Sequence, residues 1–373
     1  MSAVAFPTAA SSIQDDESGC AARGDVLVSR RSDPFVGWVP IDEFENLFSD
    51  LGNARILVPH RRKRLPGLLD RTRNRLLGDV AIDGDIGSGE ILFIVARTPT
   101  HLQAIRGLKN WRKRFRYVVG YVIDAYFYEG YSSATRHFDH VFATTAEGAE
   151  HIRKTFGVSS SVLHQGFDCL NWASVDADRS IDLLGFGRQP PSYHKQFQQS
   201  FHQRDSEVLY LHSPIGTVIG PGVWAERPMM LKLMQRAKIS LAFHLLVEPQ
   251  GDRPKAMFVT SRWFEQLATG SLVVGKRTLG EEAAALFDWP DATIELPDDP
   301  AEAAQEIASL AKRTDFLAEV RRRNVVQMCR RHDWRYRLRD VYDHFGLPKP
   351  ERLTVELTQL DALVRRLEAG GDR

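Results

Sequence analysis

The stretch Thr260-Ser-Arg-Trp-Phe-Glu-Gln-Leu-Ala-Thr-Gly-Ser-Leu-Val-Val-Gly275 decides how the rest of the chain is read. Phe264, Leu267 and Ala268 fall at helical spacing on one face, Gly270 supplies a left-handed stop, and Leu272, Val273 and Val274 follow at once as a buried strand. Glu265 goes against that pattern, as a carboxylate in the first half of a short helix, beside its packing face. Above a parallel sheet it is placed to accept hydrogen bonds from sugar hydroxyls. Taken alone it reads as well as a solvated helix charge.

Outward from this unit, apolar runs alternate with helical patterns along the whole chain. Asp25–Ser29, Arg55–Pro59, Glu90–Val95, Tyr117–Ile123 and His140–Thr145 read as strands, with helices near 42–51, 99–114 and 146–156. Continuous hydrophobicity in the strands predicts a parallel sheet covered on both faces. The pattern restarts at Ile181–Gly187 and continues with strands at Glu207–Leu211, Ile239–Phe243, Ser271–Val274 and Thr293–Leu296. Helices are expected near 190–202, 228–237, 281–287 and 301–312, the last opened by Asp299-Pro300 with Glu302. The chain is therefore expected to form a loose tail (1–24), two Rossmann-like halves (25–175 and 176–346) and a terminal helix (347–373). That helix carries Leu353, Leu357, Leu360, Val364 and Leu367 at heptad-like spacing, so it needs a partner surface. Either it crosses back to the first half or it forms a homodimer.

Gly185-Phe-Gly-Arg188, with Lys195 seven residues on, is a strand end followed by a helix. Such a turn points backbone amides at an anion, and Arg188 and Lys195 add charge that pairs with phosphate. Arg262 shares a helical side with Glu265 and can add a phosphate contact. His244 ends the Ile239–Phe243 strand, where cleft-facing residues of such sheets sit. In the first half, Asp124 follows a strand and precedes Tyr126, Phe127 and Tyr128. A carboxylate for hydroxyls and aromatic faces for stacking suit a sugar acceptor, and a capping aspartate in a buried loop is the other reading.

Arg262, Phe264, Glu265, Leu267, Ala268 and Gly270 together resemble the donor-site helix of GT-B glycosyltransferases, in particular the bacterial family-4 and spore-maturation-protein-like group. The resemblance extends over nearly the whole ordered chain and is most specific between residues 181 and 345. It implies an α/β fold of GT-B architecture, with two Rossmann-like doubly wound domains facing across a cleft. It also implies transfer of a hexose from a nucleotide diphosphate sugar to a glycan, glycolipid or envelope polysaccharide, with the anomeric configuration retained. Glu265 would bind the ribose; Gly187, Arg188 and Lys195 would hold the donor diphosphate. One departure stands out: retaining members of the group carry a second glutamate upstream, and the matching position here is Met257.

Bulk composition narrows the alternatives. With 373 residues, 43% hydrophobic, 26% charged and a net charge of +1, the chain has length for two cores and no global field for nucleic acid. Cys20, Cys169 and Cys329 match neither a metal spacing nor a disulfide framework, so a cytoplasmic setting is expected. No cofactor or metal is expected, because Arg188 and Lys195 can neutralise a diphosphate. Asp83-Gly-Asp85 looks like a metal-binding Asp-x-Asp but reads as a turn. Two basic groups, Arg61–Arg75 and Arg106–Arg116, are either solvated faces or sites of peripheral membrane contact. A nicotinamide oxidoreductase is disfavoured because no Gly-x-Gly-x-x-Gly follows the first strand. A non-catalytic nucleotide-sugar-binding or scaffold protein of the same fold is the standing alternative.

Overall fold

The computed structural model describes residues 24–29, 35–63, 65–78, 80–82, 84–212, 223–244, 246–248 and 258–370. Met257 and Asp83 lie outside the described residues, as does the expected tail apart from Gly24. The first half runs β1 (Val26–Val28), α1 (Val39–Gly52), β2 (Arg55–Leu57), β3 (His60–Arg61), α2 (Gly67–Leu77), β4 (Val80–Ala81), β5 (Gly89–Ala96), α3 (Trp111–Arg114), β6 (Phe115–Val122), β7 (His140–Ala143), α4 (Ala146–Phe156) and β8 (Ser159–Val162). The second runs α5 (Cys169–Trp172), β9 (Ile181–Gly185), α6 (Pro191–Phe201), β10 (Tyr210–His212), α7 (Val223–Arg236), β11 (Ala237–Phe243), α8 (Ser261–Ala268), β12 (Leu272–Lys276), α9 (Glu281–Leu286), β13 (Thr293–Glu295) and α10 (Pro300–Ala311). Three helices follow: α11 (Thr314–Arg331), α12 (Trp334–His344) and α13 (Glu351–Glu368).

Two parallel sheets result, one of six strands in the order β2-β1-β5-β6-β7-β8 and one of five in the order β10-β9-β11-β12-β13. Each is packed on both faces, which is why its strands read as unbroken apolar runs. The α8–β12 unit is built as its sequence reads: Gly270 sits at φ 86°, and a Cβ there would lie 2.3 Å from Ser174 O.

Three local departures have physical causes. The helix expected over 99–114 is a 3-10 stretch, Pro99–Gly107, then α3, because Asn110 turns the chain at φ 54°. β8 escapes an apolar pattern because it is a serine-rich edge strand: Ser160 Oγ donates to Val141 O at 2.6 Å, and His140 lies between the Ser159 and Ser161 hydroxyls. α7 begins at Val223 and takes Pro228 inside it, five residues before the expected start.

The return to the first half also starts earlier than 347. Phe167 pairs with Asp333 where the two crossing strands meet, and Arg335 ties them, donating to Asp168 at 2.9 Å, Asp333 at 3.0 Å and Glu356 at 2.6 Å. From there α12 packs Trp334, Leu338, Val341 and Tyr342 among Phe44, Phe48 and Phe93 of the first half. Most of α12 therefore belongs with the first core, while Tyr336 packs in a core of the second half, since large apolar side chains fix where a helix docks. α13 sets Leu353 in that same core and Leu360, Val364 and Leu367 in a core of the second half. Its apolar stripe is thus covered within the chain. Among the described residues, no helix is long and apolar enough to cross a membrane.

Candidate active site

β9 ends in Phe186-Gly187-Arg188, and the tight turn is made possible by Gly187 at φ 68°. A Cβ on Gly187 would lie 2.0 Å from Arg262 Nη2, so only glycine lets that guanidinium cross the turn. Arg262 Nη1 donates to Arg188 O at 2.8 Å, and its guanidinium lies 5.3 Å from the Phe186 ring centre. Burial pulls the Arg262 pKa down to about 10; Glu265 opposes that and the charge of Arg188 adds to it. Two arginines whose charges act on each other at a strand end favour an anion beside them.

The start of α6 contributes less than its sequence promised. Pro190 and Pro191 carry no N–H, and the Ser192 N–H donates to Glu248 at 3.0 Å, so a carboxylate of the chain already occupies this helix N-terminus. Lys195 stands exposed on α6. His244 follows β11; its N–H donates to Lys276 O at 3.0 Å and its Nδ1 accepts from Leu246 N at 3.1 Å, with burial lowering the ring pKa.

Glu265 is not a surface charge, since only 3% of it is accessible. Arg227 Nη1 comes within 2.6 Å of Glu265 Oε1, off the N–H axis, so the contact is a close ion pair rather than a directed hydrogen bond. The same guanidinium makes a two-pronged contact with Glu43 of α1, Nε to Oε1 at 2.8 Å and Nη2 to Oε2 at 3.0 Å. Burial raises the pKa of Glu43, partly countered by Arg227. For Arg227 burial acts downward, yet Glu265 and Glu43 more than reverse it and the pKa stands above its ordinary value. Two further contacts close the cleft: Trp224 Nε1 donates to Asp42 at 2.7 Å, and Ala146 N, at the start of α4, donates to Glu282 at 3.1 Å.

On the opposite wall Asp124 follows β6, and its N–H donates to Arg97 O at 3.0 Å. Burial pushes its carboxyl up to about 7, and Arg188 from across the cleft offsets part of that rise. Tyr126 stacks on Phe258 of the second half, with ring centres 4.6 Å apart; burial and then Asp124 raise its phenol pKa. Tyr128 is turned toward α4, stacked 4.5 Å from His151, so the two tyrosines do not share one surface. Asp85 is ion-paired with Arg114. Among the described residues, no group of three or more His, Cys, Asp or Glu is arranged to hold a metal ion.

The structure thus brings Arg188, Arg262 and Glu265 to one wall and Asp124 and Tyr126 to the other. Arg227, Glu43, Trp224, Asp42, Phe258 and Glu282 join them with little warning in sequence. Each acts through a partner in the other half; Arg227 and Glu43, for example, are 184 positions apart, and no local spacing encodes such a pair.

Residues 200–343 match a family described as glycosyl transferase-like. Solved structures of similar fold include Anabaena Alr3699/HepE in complex with UDP-glucose, at 12% identity and a TM-score of 0.53, covering 87% of this chain and 99% of that one. The same protein in complex with UDP and glucose gives a TM-score of 0.54 at 12% identity, with the same coverage. No curated protein matches the chain in sequence. The fold is GT-B, and its second half carries the glycosyl transferase-like segment.

Proposed function

We propose that this chain is a glycosyltransferase that moves a hexose from a nucleotide diphosphate sugar to a hydroxyl of a glycan, glycolipid or envelope polysaccharide, without a divalent cation. The observation that carries this reading is the opposition across one cleft of the Arg188–Arg262 pair and Asp124, with Glu265 beside the arginines. The two guanidinium groups meet the diphosphate, where negative charge grows as the glycosidic bond breaks. Glu265 takes the ribose hydroxyls on acceptor capacity that its off-axis pair with Arg227 leaves unused. Because the carboxylate is buried, ribose reaches it only when the Arg227–Glu43 clasp yields.

Asp124 is poised to take the acceptor proton, since a carboxyl near pH 7 both accepts and releases one. Its place opposite the diphosphate wall also admits an inverting displacement, whereas the motif resemblance implies retention. The anomeric coupling in the proton spectrum of the product separates these two outcomes.

The test of the donor reading is calorimetric titration in EDTA with UDP, and with its 2′,3′-dideoxy analogue, on wild type, Glu265→Gln and Glu265→Ala. A charged acceptor on two hydroxyls contributes about 1.5–3 kcal/mol, so Glu265→Ala should weaken UDP about tenfold or more, with Gln between. Wild type should discriminate strongly against the dideoxy analogue and Ala hardly at all. Equal discrimination by both proteins removes Glu265 from the donor site. UDP binding that appears only when magnesium or manganese replaces EDTA refutes the cation-free reading.

A further inference from the structure

His244 follows β11 directly, half-buried at the C-terminal end of the second sheet. Side chains alternate along a strand, so it shares a face with Ala242, which packs in the same core as Phe264 and Leu267 of α8. That helix also carries Arg262 and Glu265. β11 pairs in parallel with β9 through Ser240 and Leu184, and the same register carried four residues on sets His244 level with Arg188. The imidazole thus stands at the mouth of the sheet, one strand away from the diphosphate turn and on the side of the ribose helix.

Every hydrogen-bonding group of this residue but one is spent within the chain. The backbone N–H donates to Lys276 O at 3.0 Å, the carbonyl accepts from Val247 N at 3.4 Å, and Nδ1 accepts from Leu246 N at 3.1 Å. A ring nitrogen that accepts carries no proton, so the proton of the neutral imidazole sits on Nε2. Burial lowers the ring pKa; Glu295 opposes that and Lys276 adds to it, so the ring is neutral at pH 7. What remains is one uncharged donor, Nε2–H, which has no partner among the described residues. Histidines held for structure look different. His140 has both ring nitrogens 2.9 Å from serine hydroxyls, and His332 has Nε2 2.8 Å from Leu286 O and Nδ1 3.1 Å from Arg337 Nη2.

We propose that His244 reads the nucleobase of the donor, giving Nε2–H to O4 of uracil or O6 of guanine. Arg188 and Arg262 bring charge to the phosphates and Glu265 brings it to the ribose, so a neutral donor is matched to the uncharged end of the nucleotide. Cytosine and adenine carry an amino group where uracil and guanine carry that oxygen. An amino group turns a second donor toward Nε2–H, and neither hydrogen is then satisfied. The co-substrate class is therefore a nucleoside diphosphate sugar with a keto base, an assignment that rests on the glycosyltransferase reading.

Calorimetric titration of the full chain with UDP against CDP, and with GDP against ADP, tests this on wild type, His244→Phe and His244→Gln. Wild type should bind UDP or GDP about tenfold or more tighter than its amino counterpart, because a site built to donate a hydrogen bond rejects the analogue that cannot accept it. His244→Phe keeps a flat ring without the donor, and its ratio should fall to near one. His244→Gln sets an amide donor close to the place of Nε2–H and should restore most of the ratio. The members of each pair match in size, so loss of packing or of fold weakens both alike and leaves the ratio unmoved. His244→Phe should still discriminate UDP from its 2′,3′-dideoxy analogue, since Glu265 is untouched. Equal affinity of wild type for both members of each pair, preference for the amino base, or a ratio that survives His244→Phe overturns the proposal and leaves the glycosyltransferase reading standing. A wild-type chain that binds none of the four nucleotides removes both.

Discussion

Asp124 on one wall of the cleft and Glu265 on the other are both carboxyl groups withdrawn from water, and their settings differ in kind. Burial alone dominates at Asp124, lifting it to about 7, with Arg188 offsetting only part of that rise. Glu265 has a guanidinium 2.6 Å away, itself held by a second carboxylate from the other half. A carboxyl that titrates near neutrality suits proton transfer, whereas one locked in an ion pair suits recognition. Position at a strand end or on a helix does not assign the role; the nearest opposite charge does.

The largest expected effect tests the first half of that contrast. Asp124→Asn keeps the shape and removes the base, so transfer should fall about 10²–10⁴-fold while UDP affinity holds. A comparable fall in UDP affinity would move Asp124 to the donor wall and erase the distinction. Next comes the clasp. Arg227→Met strands Glu43 and Glu265 without their shared cation, and breaking such a buried pair costs about 3–5 kcal/mol, measurable by urea unfolding. Glu43→Gln in that background should recover part of the loss, because one buried charge is then gone. Indifference of stability to Arg227→Met would mean that Glu265 is not held by pairing.

The smallest effect is a slope with pH. Asp124 in the native protein binds its proton up to about 7, whereas the unfolded chain releases it near 4. Between those values the native state holds more protons, so raising the pH erodes stability, at no more than about 1.4 kcal/mol per unit, and the loss levels off above 7. Asp124→Asn should lack this component, so the wild-type minus variant difference in unfolding free energy should decline from pH 4 to 7. A difference that rises with pH would show that Asp124 is held charged in the native protein.

Both sheets could be read from sequence because strands covered on two faces leave unbroken apolar runs such as Ile91–Val95 and Ile239–Phe243. Elements that obey another logic were illegible. β8 is built of serines satisfied by edge hydrogen bonds, and α2 is amphipathic with its leucines turned outward. α12 carries three arginines and a histidine among its buried aromatics, so its apolar face is not apparent until it meets α1. In the cleft, Glu265 and Arg262 could be singled out because one helix turn holds both. Arg227 could not, because its meaning depends on Glu43, which lies in the other half.

The return of α12 and α13 has a consequence for how this protein is made. Phe44 and Phe48 pack against Trp334 and Tyr342, which leave the ribosome almost three hundred residues after them. Until α12 is made, the part of this core that α1 does not cover remains open to aggregation. Chaperone demand should therefore follow the time to complete α12 rather than the time to complete the first sheet. Slow codons placed ahead of residue 334 would prolong the exposure; the same codons placed after residue 345 would not.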